Sequence, residues 1–154
     1  MKRVLVPTDF SEHADRALTV AIGFAKPLGA TIDLFHVYAL PMPIVSSMAG
    51  AVPPPLPTPD DLMSIQRRID ELAKTVRNAG LECFTAIEQG HPPVEIVARS
   101  RNISADLVVM GTHGRSGIRR VIFGSVAEEV LRRIGLPILL VPPIREDDAA
   151  SSRG

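Results

Sequence analysis

The sequence predicts a single-domain α/β fold in which helices cover both faces of one parallel sheet. Three observations support this prediction. The chain has 154 residues, which suits one domain with a substantial core. Short β-branched apolar runs alternate along it with longer segments of helical periodicity. The resulting order, β-α-β-α-β-α-β-α-β, is typical of a parallel sheet joined by right-handed crossovers.

The first strand is expected at 3–8 and the second at 31–37. An amphipathic helix lies between them. Either Asp9 or Ser11 can cap this helix, because Asp9 and Glu12 have the spacing of a capping box. The residues expected on its inward face are Ala14, Leu18, Ala21, Ile22, Ala25 and Leu28.

The segment 39–57 is rich in proline and small residues and has no hydrophobic period, so it is expected to be a long loop. The second helix should begin at Thr58, because Thr58 can cap it and Pro59 suits its first position. Gly80 should end it. Its expected inward stripe is Leu62, Ile65, Ile69, Leu72 and Val76.

Three further strands and two further helices complete the pattern. The strands are expected at 82–88, 106–110 and 137–141. One helix opens at Pro92, and the last helix is expected at 125–134. The residues expected to face inward are Val94, Val97, Ala98, Val126, Val130, Leu131 and Ile134, and those expected to face outward are Arg99 and Arg101.

A glycine-rich loop joins the fourth strand to the last helix. Its glycines are Gly111, Gly114, Gly117 and Gly124. Glycines let backbone N–H groups approach an anion closely, and a helix N-terminus adds unpaired N–H groups and positive potential. We interpret the loop as a phosphate-binding segment. The alternative is that the glycines form plain turns and that Ser125, with Glu128 at capping-box spacing, only caps the helix. No lysine follows Gly124, so the loop is not a Walker A motif.

The composition excludes several classes of protein. Lys plus Arg and Asp plus Glu number 17 each, so there is no basic surplus for binding nucleic acid or a membrane surface. The single cysteine, Cys83, rules out an internal disulfide and is expected to be a small buried residue of a cytoplasmic protein. The first apolar run is too short for a signal sequence or a membrane span. We expect one domain over 1–142 and a disordered polar tail over 143–154.

Two stretches resemble a known family. They are residues 6–12, which read VPTDFSE, and residues 109–115, which read VMGTHGR, followed by Gly124 and Ser125. Together they resemble the universal stress protein family, and the resemblance extends over 1–142. The spacing of Gly111, Gly114, Gly124 and Ser125 is similar to that of the ATP-binding branch of the family.

The resemblance implies a Rossmann-like fold of the adenine nucleotide α-hydrolase-like type. Its parallel sheet would have five strands in the order 3-2-1-4-5, with helices on both faces. It also implies a homodimer in which the fifth strands meet edge to edge. An apolar edge strand suits such pairing, because an unprotected sheet edge invites a partner. The residues concerned are Ile138, Leu139, Leu140 and Val141.

The resemblance further implies a site for ATP with Mg²⁺ (or Mn²⁺). Carried over by position, the nucleotide contacts are Pro7, Thr8, Asp9, Val37, Met110, Gly111, His113, Gly114, Gly124, Ser125 and Val126. Asp9 would lie near the ribose or the metal ion, and the Val37 backbone would bond adenine. Gly124, Ser125 and Val126 would hold the terminal phosphates.

Some roles stay open at this point. Asp9 could act only as a helix cap, and His113 could contact phosphate or simply be exposed. Three loop arginines could neutralise phosphates or be solvated; they are Arg115, Arg119 and Arg120. The other histidines lack partners at metal-ligand spacing and are expected to be structural; they are His13, His36 and His91.

Three functions remain compatible with the sequence. The one we expect is an ATP-binding, dimeric stress-response regulator with slow or no hydrolysis, because no nucleophile–base set or paired carboxylates stand out. The second is a nucleotide-free dimeric interaction module. The third is an ATP hydrolase, although the turn after the first strand matches neither an S-G-G-x-D-S nor an H-I-G-H motif.

Overall fold

A computed structural model describes residues 2–38, 57–112 and 124–143. Its strands are β1 (Arg3–Pro7), β2 (Thr31–Tyr38), β3 (Cys83–Gln89), β4 (Leu107–Gly111) and β5 (Ile138–Val141). Its α-helices are α1 (Glu12–Ala25), α2 (Pro59–Asn78), α3 (Pro92–Asn102) and α4 (Ser125–Arg133), and a 3₁₀ turn (Lys26–Leu28) follows α1. The predicted element order is therefore confirmed.

Several predictions fall outside the described residues. They concern most of the 39–57 loop, the tail after Pro143, and His113, Gly114, Gly117, Arg115, Arg119 and Arg120. These predictions stay as they were stated.

The five strands form one sheet in the order β3-β2-β1-β4-β5, and every neighbouring pair is parallel. This confirms the expected sheet. The chain runs from β1 outward to β2 and β3, then crosses back to β4 on the other side of β1. The strand order thus reverses between β1 and β4, and their carboxyl ends lie side by side.

Each face of the sheet is covered by two helices. Helices α1 and α2 pack on one face, where Val4, Val6, Ile32, Leu34 and Val109 point. Helices α3 and α4 pack on the other, where alternate residues of the same strands point; these are Leu5, Phe35, Val108 and Met110. Helices on both faces are therefore confirmed.

The predicted start and end of α2 are also confirmed. The Thr58 hydroxyl accepts a hydrogen bond from the Asp61 N–H, and the Thr58 N–H donates to Asp61 Oδ2 at 2.8 Å. The hydrogen bonds from the Thr58 side chain and backbone lower the pKa of the Asp61 carboxyl. Gly80 follows the helix with φ +85°, a conformation that suits glycine.

Four apolar residues predicted to face inward are in fact substantially exposed: Leu28, Leu62, Val94 and Leu131. Leu28 misses the core because α1 ends at Ala25 and a 3₁₀ turn follows. On α3 the buried stripe is Pro93, Ile96, Val97 and Ser100, which leaves Val94 off the contact face. On α4 the buried residues are Ala127 and Val130, so Leu131 lies one position past the stripe.

The prediction for Cys83 is confirmed, since its side chain is buried at the start of β3. Burial raises the pKa of the Cys83 thiol to about 11. The thiol therefore stays protonated at neutral pH and behaves as a small apolar group.

Arg99 was predicted to face outward, and that prediction is wrong. Its guanidinium binds the carboxylate of Asp33 in β2 through two hydrogen bonds, Nε to Oδ1 at 3.1 Å and Nη2 to Oδ2 at 3.0 Å. The Asp33 side chain is 2% exposed and that of Arg99 21%. A carboxylate inside an apolar strand needs such a partner, because an unpaired buried charge is costly.

We predict that Arg99→Met lowers the free energy of unfolding by about 3 kcal/mol, because it leaves the buried Asp33 carboxylate without its charged partner. Replacing both partners, as Asp33→Leu with Arg99→Met, should lose much less. Urea unfolding of the two single variants and the double variant measures both effects. Strictly additive losses would contradict this description of the pair.

Candidate functional site

A cavity of about 360 Å³ opens at the carboxyl edge of the sheet, where the strand order reverses. The described residues that line it are Pro7, Thr8, Asp9, Ala14, Phe35, Val37, Pro92, Ile96, Met110, Gly111, Thr112, Gly124, Ser125, Val126 and Ala127. They come from the ends of β1, β2 and β4 and from the starts of α1, α3 and α4. In open α/β sheets this crevice is the usual place for a small ligand.

One part of the cavity is apolar. Phe35 and Val37 are alternate residues of β2 and therefore point to the same face of the sheet, toward α3. Met110 from β4 and Ile96 from α3 line the same part. A slot walled by such side chains suits a flat, weakly polar ring.

The other part is formed by main chain where β4 ends and α4 begins. The Gly124 N–H donates to the Thr112 carbonyl at 2.6 Å, and the Thr112 N–H donates to the Val141 carbonyl at 3.0 Å. The first bond holds the start of α4 against the end of β4, and the second joins the end of β4 to β5. Gly111, Thr112, Gly124 and Ser125 consequently line one wall.

Gly124, not Ser125, is the N-cap of α4, and none of the described side chains caps this helix. The expected capping box of Ser125 and Glu128 is therefore wrong: Ser125 is the first residue of the helix. The first intrahelical bond is Glu128 N–H to the Gly124 carbonyl. The amides of Ser125, Val126 and Ala127 have no acceptor within the helix, and these three residues line the cavity at the positive end of the helix dipole. An anion is the ligand that this arrangement suits best.

Asp9 lies in the turn between β1 and α1. Its Oδ1 accepts hydrogen bonds from the Ser11 N–H at 3.0 Å and from the Ser11 hydroxyl at 2.6 Å. Ser11 is the N-cap of α1 and accepts from the Ala14 N–H. Of the two predicted capping residues, Ser11 caps α1, and Asp9 lines the cavity.

Every predicted site residue within the described ranges lines this cavity: Pro7, Thr8, Asp9, Val37, Met110, Gly111, Gly124, Ser125 and Val126. His113 and Gly114 lie outside the described residues. The structure thus brings together residues more than 100 positions apart in the chain. Their contacts with a ligand remain predictions.

Sequence reasoning missed six lining residues: Ala14, Phe35, Pro92, Ile96, Thr112 and Ala127. Two had a signal that could have been used. Phe35 shares a strand face with Val37, and Thr112 stands next to Gly111 in the loop. Pro92 and Ile96 line the cavity because α3 packs beside α4, which no local pattern encodes.

Asp9 is the ionisable side chain among the described lining residues. In the described ranges, no group of three or more His, Cys, Asp or Glu residues gathers as a metal site would require. Among the same residues, no helix is both long and apolar enough to cross a membrane.

The three histidines within the described ranges lie in a strand, at a helix start and in a helix. His36 is buried in β2, and its Nδ1 lies 2.7 Å from the Thr8 carbonyl. His91 is the N-cap residue of α3, and its Nε2 lies 4.0 Å from a carboxylate oxygen of Glu129. His13 lies in the first turn of α1.

Fold and cavity together define a doubly wound α/β protein with a pocket at its topological switch point. A model of the universal stress protein family matches residues 1–142, and the chain belongs to that family. The universal stress protein MJ0531 of Methanocaldococcus jannaschii is 33% identical to it over 146 residues, covering 91% of this chain and 81% of that protein.

Solved structures agree with this assignment. The structure of MJ0577, a universal stress protein of Methanocaldococcus jannaschii, is similar with a TM-score of 0.74 at 23% identity, covering 94% of this chain and 98% of that one. A universal stress protein crystallised in complex with cAMP has a TM-score of 0.63 at 27% identity, covering 91% of this chain and 95% of that one.

Proposed function

We propose that this chain binds ATP and acts as a dimeric stress-response regulator with slow or no hydrolysis. The observation that carries the proposal is the glycine-capped start of α4, which opens onto a cavity whose other part is apolar. An adenine nucleotide has the matching pair of ends, a flat base and a phosphate chain. The relative crystallised with cAMP adds support, because its ligand is also an adenine nucleotide.

The nucleotide would lie with its base in the apolar slot and its phosphates at α4. The Val37 backbone would bond adenine, and Met110 and Gly111 would line the ribose-phosphate path. The amides of Ser125 and Val126 would then meet the phosphates, since both residues line the cavity at the helix start. Asp9 would face the ribose or the metal ion from the β1–α1 turn.

A magnesium (or manganese) ion fits this site only as a partner of the nucleotide. Mg²⁺ commonly binds through one or two carboxylates together with substrate phosphates. The Asp9 carboxylate is the matching donor, and its Oδ1 is already held by Ser11. The ion would neutralise phosphate charge there.

Slow or absent turnover is the expected consequence of the cavity lining. Efficient hydrolysis needs a positioned base for the attacking water. Among the described lining residues, Asp9 carries the one carboxylate, and two of its hydrogen bonds come from Ser11. We therefore propose that the nucleotide-bound state of the protein is the signal and that rapid hydrolysis does not occur. We also propose that the protein is cytoplasmic.

The proposed dimer forms through the outer edge of β5. In the described sheet β5 is an edge strand, so one side of its backbone has no neighbouring strand among the described residues. Its side chains are only partly buried at Ile138, Leu139 and Leu140. A second copy pairing there would satisfy the backbone and cover these side chains.

We expect sedimentation equilibrium at micromolar concentration to give the mass of a dimer, and Leu140→Lys to shift it toward the monomer. The reason is that a charge at the β5 edge opposes strand pairing. Leu131→Lys, at an exposed apolar position on α4, is the matched control. A wild-type monomer would remove the dimer from the proposal.

We predict that Gly124→Val weakens ATP binding by about tenfold or more, because a branched side chain at the helix cap crowds the phosphates. The fold should survive, since Gly124 has φ −69° and ψ 156°, which valine adopts readily. Gly135→Val is the matched control, because an added Cβ there meets no atom within 4 Å. Isothermal titration with ATP, with and without Mg²⁺, measures the effect.

The same titration tests the metal. Asp9→Asn keeps an oxygen for Ser11 and removes the charge, so the gain in ATP affinity from Mg²⁺ should shrink.

Two outcomes would favour the alternative functions. Wild type that binds no ATP would leave the nucleotide-free interaction module as the function. Phosphate release at several turnovers per second would favour the hydrolase.

A further inference from the structure

Phe10, in the turn beside the candidate site, has an unusual backbone conformation. Its φ of 61° lies in the left-handed region, which residues with side chains adopt only at a cost in free energy. Within the described residues, the other non-glycine residue with positive φ is Ser104. A bulky aromatic residue keeps this conformation only when surrounding contacts hold it there.

Two side chains from other elements contact Phe10. The guanidinium carbon of Arg68, in α2, lies 4.3 Å from the centre of the Phe10 ring, and Arg68 Nη2 donates to the Phe10 carbonyl at 3.2 Å. Arg68 therefore binds the ring by a cation–π contact and the backbone by a hydrogen bond. The His36 imidazole lies against the same ring, with centroids 4.4 Å apart and planes tilted by 34°.

His36 connects this cluster to the end of β1. Its Nδ1 lies 2.7 Å from the Thr8 carbonyl, and because a carbonyl oxygen only accepts, Nδ1 donates. The Thr8 hydroxyl in turn accepts from the Phe10 N–H at 3.0 Å. Residues 8–10 are thus tied to one another and to two neighbouring elements.

The cluster and the cavity contact this turn from opposite faces of the sheet. Phe10 packs against the core beneath α1 and α2, whereas the cavity lies on the side of α3 and α4. Thr8 and Asp9 line the cavity and directly precede Phe10. Arg68 is not among the described lining residues, and its two contacts with Phe10 connect it to the turn that does line the cavity.

We propose that Arg68 is a positioning residue for the candidate site. By holding Phe10 in the left-handed conformation, it fixes the direction in which Thr8 and Asp9 face the cavity. Helix α2 is thereby coupled energetically to a cavity that none of its residues lines among those the structure describes. The effect on ligand binding rests on the proposed function, whereas the effect on the turn does not.

The test compares Arg68→Met with Arg67→Met, which changes the neighbouring exposed arginine of the same helix. Amide hydrogen exchange followed by NMR reports on the turn, because the Phe10 and Ser11 amides donate to Thr8 and Asp9. We expect both amides to exchange about fivefold faster in Arg68→Met, with β4 amides unchanged. Titration with ATP should show about a fivefold higher Kd in the same variant.

Arg67→Met should match wild type in both measurements, and Arg68→Lys should recover part of the loss because it keeps a cation for the ring. Unchanged exchange at Phe10 and Ser11 would overturn the proposal whatever the titration gave. Faster exchange with an unchanged Kd would overturn the coupling to the site. If wild type binds no ATP, the proposed function fails, and the exchange measurement alone decides the role of Arg68.

Discussion

The hydrogen bond from the Gly124 N–H to the Thr112 carbonyl is the interaction on which the candidate site depends. It joins the residue after β4 to the N-cap of α4, so that the end of a strand and the start of a helix form one wall of the cavity. Because glycine caps the helix without a side chain, no described side chain binds the first helical amides. A serine side chain at the cap position would accept a hydrogen bond from one of those amides, and fewer amides would then be available to bind an anion.

The sheet topology supplies the rest of the site. With β1 between β2 and β4, the β1–α1 turn stands directly beside the β4–α4 wall. The crossover from β3 to β4 places α3 next to α4, and Ile96 then closes the apolar slot. The position of the cavity therefore follows from the strand order, and the Gly124–Thr112 hydrogen bond completes its wall at α4.

The buried Asp33–Arg99 pair and the exposed Arg68 have different roles in the domain. Asp33 and Arg99 form an ion pair close to Phe35, which lines the cavity, and this pair joins α3 to β2. Arg68 contacts the turn from the opposite side of the sheet and holds a strained residue in place. The first pair sets where α3 lies, and the second contact sets how the β1–α1 turn faces the cavity.

Much of this was predictable from sequence, and the failures have physical causes. Strand positions followed from β-branched runs, and α2 followed from Thr58, Pro59 and Gly80 because local chemistry defines its ends. Arg99 was predicted to face outward because helical periodicity identifies the apolar face of a helix. It does not show that the buried Asp33 carboxylate of β2 faces α3. The strand order came from family resemblance, since local patterns do not determine which strands become neighbours.

The alternative in which Ser125 caps α4 is wrong, although a serine three residues before a glutamate matches a capping box: Gly124 is the N-cap, and its N–H binds the Thr112 carbonyl. The lining residues Pro92 and Ile96 were missed for a related reason. Their place in the site depends on how two helices pack, and such packing leaves no short-range signature.

The most direct measurement of the central claim is a titration of the ¹⁵N-labelled protein with ATP, followed by backbone amide shifts. We expect the amides of Ser125 and Val126 to shift most, together with those of Gly111 and Thr112, while amides at the opposite edge of the sheet stay in place. Shifts confined to residues away from the start of α4, or no shifts at millimolar ATP, would contradict that claim.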